Sequence, residues 1–189
     1  MSNFKVAFKK LCKKKLAIGG MVVCILIILM AIFAPLIAPH DPDATNSQAV
    51  FAKASWEYPM GTDNLGRCLF SRIVYGSRIT IVVGVVAVSI ALIIGTALGL
   101  ISGYYKGRVD RIISAITDSL WSFPTIILAL AITAALGTGL KNVLIAIGIV
   151  FTPAFARIVR SVVLSVSEME YVQGAKAIGL NDFKIITRY

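Results

Sequence analysis

The sequence predicts an all-α fold, a polytopic helical bundle in a membrane with four spanning helices, and three observations carry that expectation. The 189 residues are 58% hydrophobic and only 15% charged, with a mean hydropathy of +0.86, against roughly 45–50% apolar and about 25% charged in soluble domains. A soluble core could not hide this much apolar surface. The uncharged runs approach or exceed the roughly 20 residues that a helix needs to cross a hydrocarbon layer about 30 Å thick. The basic residues gather beside those runs, so the net charge of +10 reads as membrane topology and not as a nucleic-acid surface.

Residues 1–15 form a basic tail, in which Lys5, Lys9, Lys10, Lys13, Lys14 and Lys15 precede the first span. With Lys106, Arg108 and Arg111, and with Arg157, Arg160, Lys176, Lys184 and Arg188, these make fourteen of the 19 basic residues. The positive-inside rule places all three groups, and the N-terminus, in the cytoplasm. Lys53, Arg67, Arg72, Arg78 and Lys141 are left on the other face. The first span, 16–37, is longer than the apolar region of a cleaved signal peptide and reads as a retained anchor. Pro35, Pro39 and Pro42 make a stiff exit from it, with His40 as an interfacial or solvated residue. Cys12, Cys24 and Cys68 have no metal-ligand spacing.

Residues 38–78 form an extracytoplasmic segment. Asp63 or Asn64 can cap a helix there with Leu65, Leu69, Phe70, Ile73 and Val74 on an apolar face, and such a helix would lie along the membrane surface. Span two, 79–102, carries Gly95, Gly99 and Gly103 at i, i+4 spacing, which lets a neighbouring helix come close. A cytoplasmic loop, 103–111, leads to span three, 112–136. In that span Asp118, Ser122, Thr125, Ala129 and Thr133 fall on one stripe about 80° wide. This face is either a helix–helix interface or one wall of a solute pathway, and Pro124 kinks the helix. Asp118 reads as an interfacial carboxylate about one turn in, within reach of Arg111 if both side chains extend.

After a short turn, 137–142, span four covers 143–164. It reaches spanning length only by running past Arg157 and Arg160, which then snorkel to the interface. The last segment, 165–189, reads as an amphipathic helix up to Ile178, a glycine stop at Gly179, and a second helix begun by Asn181 or Asp182.

Two stretches resemble a known family. Met60 to Arg78 contains Gly61, Asp63, Gly66, Arg67, Ser71, Arg72, Tyr75, Gly76 and Arg78. It resembles the GTDxxGRDxxSRxxYGxR signature of the second, or "C", permease subunit of the peptide and nickel ABC importers. Cys68 stands where the family usually has Asp, so no role of that acid is carried over. Glu168 to Tyr189 resembles the cytoplasmic EAA loop of importer permeases, with Gln173, Gly174 and Ala175 in the EAA places and Gly179 as its glycine. The resemblance implies that Glu168, Glu170, Tyr171, Gln173, Gly174, Ala175, Lys176 and Gly179 form a coupling helix against an ATPase subunit. With Gln173 in place of the glutamate, Glu168, Glu170 and Lys176 are the charged candidates for that contact.

The resemblance further implies a multi-pass protein of a bacterial inner membrane. Its partners would be a second permease in a heterodimer, two ATP-binding cassette ATPase subunits and an extracytoplasmic substrate-binding protein. The cargo would be peptides or nickel chelates, with Asp118, Ser122, Thr125 and Thr133 as candidate pathway residues. The chain is expected not to be an enzyme and to bind no cofactor, since no GxxxxGK[ST] loop occurs in it and ATP would be bound by the partners. Family members have six spans and continue beyond this point, so the sequence is expected to be a truncated, four-span part. Two alternatives remain: an ion-coupled secondary transporter, for which Asp118 is the one candidate carboxylate, and a non-transporting remnant that binds permease partners.

Overall fold

The computed structural model describes residues 14–188. Of the predicted tail only Lys14 and Lys15 are among them; Lys5, Lys9, Lys10, Cys12, Lys13 and Tyr189 lie outside the described residues. The regular structure is helical: α1 Lys15–Ile32, α2 Ala34–Ile37, α3 Leu69–Tyr105, α4 Gly107–Ser122, α5 Thr125–Leu136, α6 Leu140–Ser167, α7 Glu170–Ala177 and α8 Asp182–Arg188, with one 3-10 turn at Ser47–Ala49. The polytopic all-α expectation holds. Among the described residues three helices, α1, α3 and α6, are long and apolar enough to cross a membrane, and α4 with α5 makes a fourth if the bent pair counts as one. The chain divides into two compact units within α3, at Val82–Val83.

In the first unit, α1 is apolar on every side and buries only Ala31, as expected of a helix solvated by hydrocarbon. It stops at Phe33, and α2 resumes with Pro35 in its first turn, where a missing N–H costs nothing. The orphan carbonyls at the end of α1 are satisfied from α3: Arg78 donates from Nε to Ala31 O at 2.6 Å and from Nη2 to Ile32 O at 3.2 Å. A cation at a helix C-terminus also complements its dipole. The separate surface helix expected before span two is absent. Residues 60–68 are irregular, and Leu69 opens a helix of 37 residues that runs unbroken to Tyr105, so the signature segment is partly a loop and partly the start of the span.

In the second unit the remainder of α3 packs along α6. A Cβ placed on Gly95 would stand 2.7 Å from Thr152 O, on Gly99 2.6 Å from Ala156 O, and on Gly103 3.0 Å from Arg160 O. The rising order of partners shows that the two helices run parallel. Only residues without side chains allow backbones this close. Gly148 answers from α6, where a Cβ would meet Ile90 at 2.6 Å.

Span three departs from the expected 112–136 helix. It is two helices, α4 and α5, that meet at 100° around Phe123 and Pro124. Phe123 is extended, φ −84° and ψ 141°, because the proline ring that follows excludes the α conformation there. The expected polar stripe is therefore divided, with Asp118 and Ser122 on α4 and Thr125, Ala129 and Thr133 on α5. α6 is longer than the predicted 143–164, starting at Leu140 and absorbing the buried Pro153 without a break.

Candidate functional site

The second unit gathers charged groups where α3 ends. Lys106, at φ +52°, and Gly107, at φ +57°, turn the chain from α3 into α4. This corner lies against the end of α6 and the two short helices after it. Asp110 accepts two bonds from Arg160, from Nε at 2.5 Å and Nη2 at 2.6 Å, and further bonds from the hydroxyls of Ser102 and Ser114. Lys106 pairs with Glu168, and Tyr104 donates to Asp182 Oδ1 at 2.7 Å. Lys176 sits 4.8 Å from the centroid of the Tyr104 ring, within cation–π range. The hydrogen bond from Lys106 and its charge hold the Glu168 carboxyl below the usual glutamate range.

The 168–188 segment folds as the sequence expects. α7 buries Val172 and Ala175, which join Ile185 of α8 in a small core with Tyr104, Val166 and Leu180 packed on it. Gly179, at φ +78°, follows α7; its N–H donates to Lys176 O at 3.0 Å, and that of Leu180 to Ala175 O at 3.2 Å. This crossed pair is the Schellman arrangement, in which the left-handed residue is nearly always glycine. Asn181 then caps α8, its side chain accepting from Phe183 N at 3.1 Å. Gln173 donates from Nε2 to Ser167 O at 2.7 Å, a bond that an ionised glutamate could not make because it has no donor. Met169, Glu170, Tyr171, Gly174 and Ile178 stay exposed. Of the three charged candidates for a partner contact, Glu168 and Lys176 are engaged inside the chain, while Glu170 lies exposed in the first turn of α7.

Among the candidate pathway residues, Asp118 does not reach for Arg111. It pairs with Arg157 of α6, Nη2 to Oδ1 at 2.9 Å, and that guanidinium also lies 4.9 Å from the centroid of Trp121. A polar cavity of about 200 Å³ adjoins the pair, lined in part by Ser102, Ser114, Thr117, Asp118, Arg157 and Arg160. Ser122 and Thr133 turn their hydroxyls back to carbonyls of their own helices, those of Ser119 and Ala129. Arg160 and Arg157, expected to snorkel, are thus both paired with carboxylates of α4.

In the first unit the signature residues hold a loop together. Asp63 Oδ1 accepts from the backbone of Leu65 at 2.8 Å and Arg67 at 3.0 Å; Oδ2 accepts from Arg67 Nε at 2.8 Å and Arg72 Nη1 at 2.7 Å. Partial desolvation opposes ionisation of Asp63, but these hydrogen bonds and the Arg67 charge outweigh it and hold the carboxyl well below the usual range. Gly61 and Gly66 have φ of +74° and +72°, and a Cβ at either would strike backbone of Ala52 or Asn46. The buried Ser71 accepts from His40 N at 3.2 Å, while the His40 ring stacks on Tyr58 at 4.8 Å. Arg78 caps α1 and lies 5.6 Å from the Tyr75 ring centroid. Cys68 is buried, opposite Thr62 in an isolated bridge.

Sequence reasoning missed Tyr104, Lys106 and Asp110 as the partners of Asp182, Glu168 and Arg160. The available signal was the presence of both charge signs in the 103–111 and 157–184 segments, which does not state who pairs with whom.

Two stretches of the chain match known protein families. Residues 95–189 match the family of binding-protein-dependent transport system inner membrane components. Residues 2–54 match the N-terminal transmembrane domain of oligopeptide transport permease C. The chain is 48% identical over 98% of its length to a dipeptide transport system permease of Alkalihalophilus pseudofirmus, covering 61% of that protein. It is 37% identical over 96% of its length to a glutathione transport system permease of Pectobacterium atrosepticum, covering 61% of it. To a probable D,D-dipeptide transport system permease of Escherichia coli it is 42% identical, over 90% of this chain and 57% of that one. The chain thus spans about three fifths of the length of these curated relatives.

Proposed function

Because this chain belongs to the family of binding-protein-dependent transport system inner membrane components, we propose that it serves as a permease subunit of an ATP-driven importer that moves peptides inward. It is a multi-pass membrane protein. In this reading its N-terminus and the 165–189 segment lie in the cytoplasm, a second permease completes the pathway, and two partner ATPase subunits supply the energy. An extracytoplasmic binding protein delivers the cargo. The relatives named above carry dipeptides and glutathione in their names, which supports a peptide cargo and gives nickel chelates no support.

One observation carries the proposal: the helix–glycine–helix unit of α7 and α8. Its inner face is packed on the end of α6 and on Tyr104, while Met169, Tyr171 and Ile178 stay exposed at 47%, 49% and 76%. Three large apolar groups on a segment that also carries the exposed Glu170 suit a partner groove better than water. A partner that changes shape on ATP binding can shift the permease only through a contact that differs between its states. This unit is firmly tied to the membrane helices and can transmit such a shift.

The test is co-purification of the permease with its ATPase subunits. Gly179→Pro places a fixed φ of about −65° where the chain needs +78°, and both it and deletion of 168–189 should abolish the complex. Full ATPase recovery with either variant would overturn the coupling role of this segment.

A further inference from the structure

Two aspartate–arginine pairs join α4 to α6, and they are built differently. Asp110 and Arg160 share two bonds, and the Asp110 side chain is 18% exposed. Asp118 and Arg157 share one bond, with side chains 62% and 57% exposed. Among the described residues no other side-chain hydrogen bond engages Arg157 or Asp118. The second carboxylate oxygen and most of the guanidinium fork are therefore available.

Their place on membrane helices makes this exposure informative. Arg157 lies ten residues before Ser167, so at about 1.5 Å per residue it stands about 15 Å along α6 from the end that carries α7. Charges on such helices are costly where they meet hydrocarbon and are found facing protein interiors, water-filled passages or the interface. The polar cavity beside the pair is consistent with the second setting. Trp121 supports the guanidinium by its ring face.

We propose that Asp118, Arg157 and Trp121 form a passage site that takes the charged ends of a zwitterionic peptide, its ammonium on Asp118 and its carboxylate on the Arg157 fork. This deepens the peptide-importer reading and rests on it. The chemistry follows from what each group lacks. A single-bonded guanidinium can still offer a parallel pair of N–H groups to an incoming carboxylate, the strongest geometry it has. The ammonium then replaces Arg157 as the partner of Asp118. Each charge is paired before, during and after passage, so neither is left uncompensated in a low-dielectric wall, the state that makes broken buried pairs expensive. The Asp110–Arg160 pair, closed at both ends, keeps α4 and α6 together while the exchange occurs.

The experiment uses the assembled transporter in proteoliposomes, with Ala-Ala as the probe. Asp118→Asn and Arg157→Gln should each lower the initial uptake rate about tenfold, the loss expected for one charge-assisted hydrogen bond, with ATPase subunits still bound. The exchanged pair, Asp118→Arg with Arg157→Asp, should remain slow, because the peptide ends would meet the wrong charges. Uptake within twofold of the unaltered protein in the single variants, or full rescue by the exchanged pair, would overturn the site and leave a structural salt bridge. A second readout does not need transport: Ser122→Cys, one turn from Asp118 on α4, should react with a polar thiol reagent, and Ala-Ala should slow that reaction. An inert cysteine would overturn the site by showing that a second subunit covers this face. Absence of Ala-Ala uptake by the unaltered transporter with a reactive cysteine would instead overturn the importer reading.

Discussion

Asp63 shows how much one carboxylate can organise when its neighbours are chosen for it. Two backbone N–H groups bond one oxygen and two guanidiniums the other, so the turn that carries Gly61 and Gly66 is fixed to the first turn of α3. The carboxyl is held below its ordinary value. Because the folded-state pKa is depressed, the stabilisation is complete above the unfolded value of about 4 and is lost only as pH falls through the lower folded value. Exchange of the Leu65 and Arg67 amides, corrected for the intrinsic rate, should therefore be unchanged from neutral pH down to about pH 4. Asp63→Asn should weaken protection of both amides at every pH, since its single oxygen can serve either the two backbone N–H groups or the two guanidiniums, and an NH2 then stands where the other pair needs an acceptor. Equal protection of Arg67 N–H in that variant would refute this account.

At the scale of the helices, the seam between α3 and α6 depends on small residues at every fourth position. Ala87, Ala91, Gly95, Gly99 and Gly103 follow one another along α3, and both alanines are buried. Gly99→Ala brings a Cβ to 2.6 Å from Ala156 O and 2.7 Å from Val159 Cβ, and should destabilise the protein by about 1–3 kcal/mol. Gly84→Ala, with nothing within 4 Å, should be neutral or slightly stabilising because alanine is the better helix former. Thermal unfolding of the two variants in one detergent checks the contrast, and equal midpoints would count against close packing at Gly99. The glycine stripe was legible in the sequence because its period is local. Its partner on α6 was not, since nothing in a single sequence links Gly99 to Ala156. The same division holds elsewhere. Gly179 and Asn181 declared the stop and start of α7 and α8, and Pro124 declared a kink. Its angle of 100° was hidden because a proline restrains only its own ring and the residue before it, and packing of α4 and α5 on α6 sets the rest. The surface helix expected at 63–78 failed for a related reason. Arg67 and Arg72 fell off the apolar face and suited a polar one, but both are paired with Asp63, and Arg78 is taken up by the end of α1.

Across the second unit as a whole, α7 and α8 are tied to the membrane helices at the corner between α3 and α4 as well as at the end of α6. Tyr104, Lys106 and Asp110 meet Asp182, Glu168 and Arg160, and Lys176 adds its charge to the Tyr104 ring. Of these ties the Asp110–Arg160 pair is the least exposed and has the most bonds, so it should dominate. Arg160→Ala leaves the Asp110 carboxylate with only the hydroxyls of Ser102 and Ser114. An uncompensated charge in such a setting costs about 3 kcal/mol. Replacing both partners with apolar residues, Asp110→Leu with Arg160→Met, removes the charge as well as the bond and should recover most of that loss. The two variants separate stability from transmission. Both lose the tie between α4 and α6, so in both the 168–188 segment should become more open to limited proteolysis, whereas the unfolding midpoint should fall markedly in Arg160→Ala alone. A protease pattern unchanged from the unaltered protein in both variants would show that α7 and α8 are held by the Val172–Ile185 core and the Lys106–Glu168 pair without help from Arg160. In that case a movement of α7 would reach the α3–α4 corner through Lys106 and Tyr104, and the Asp110–Arg160 pair would take no part in transmitting it.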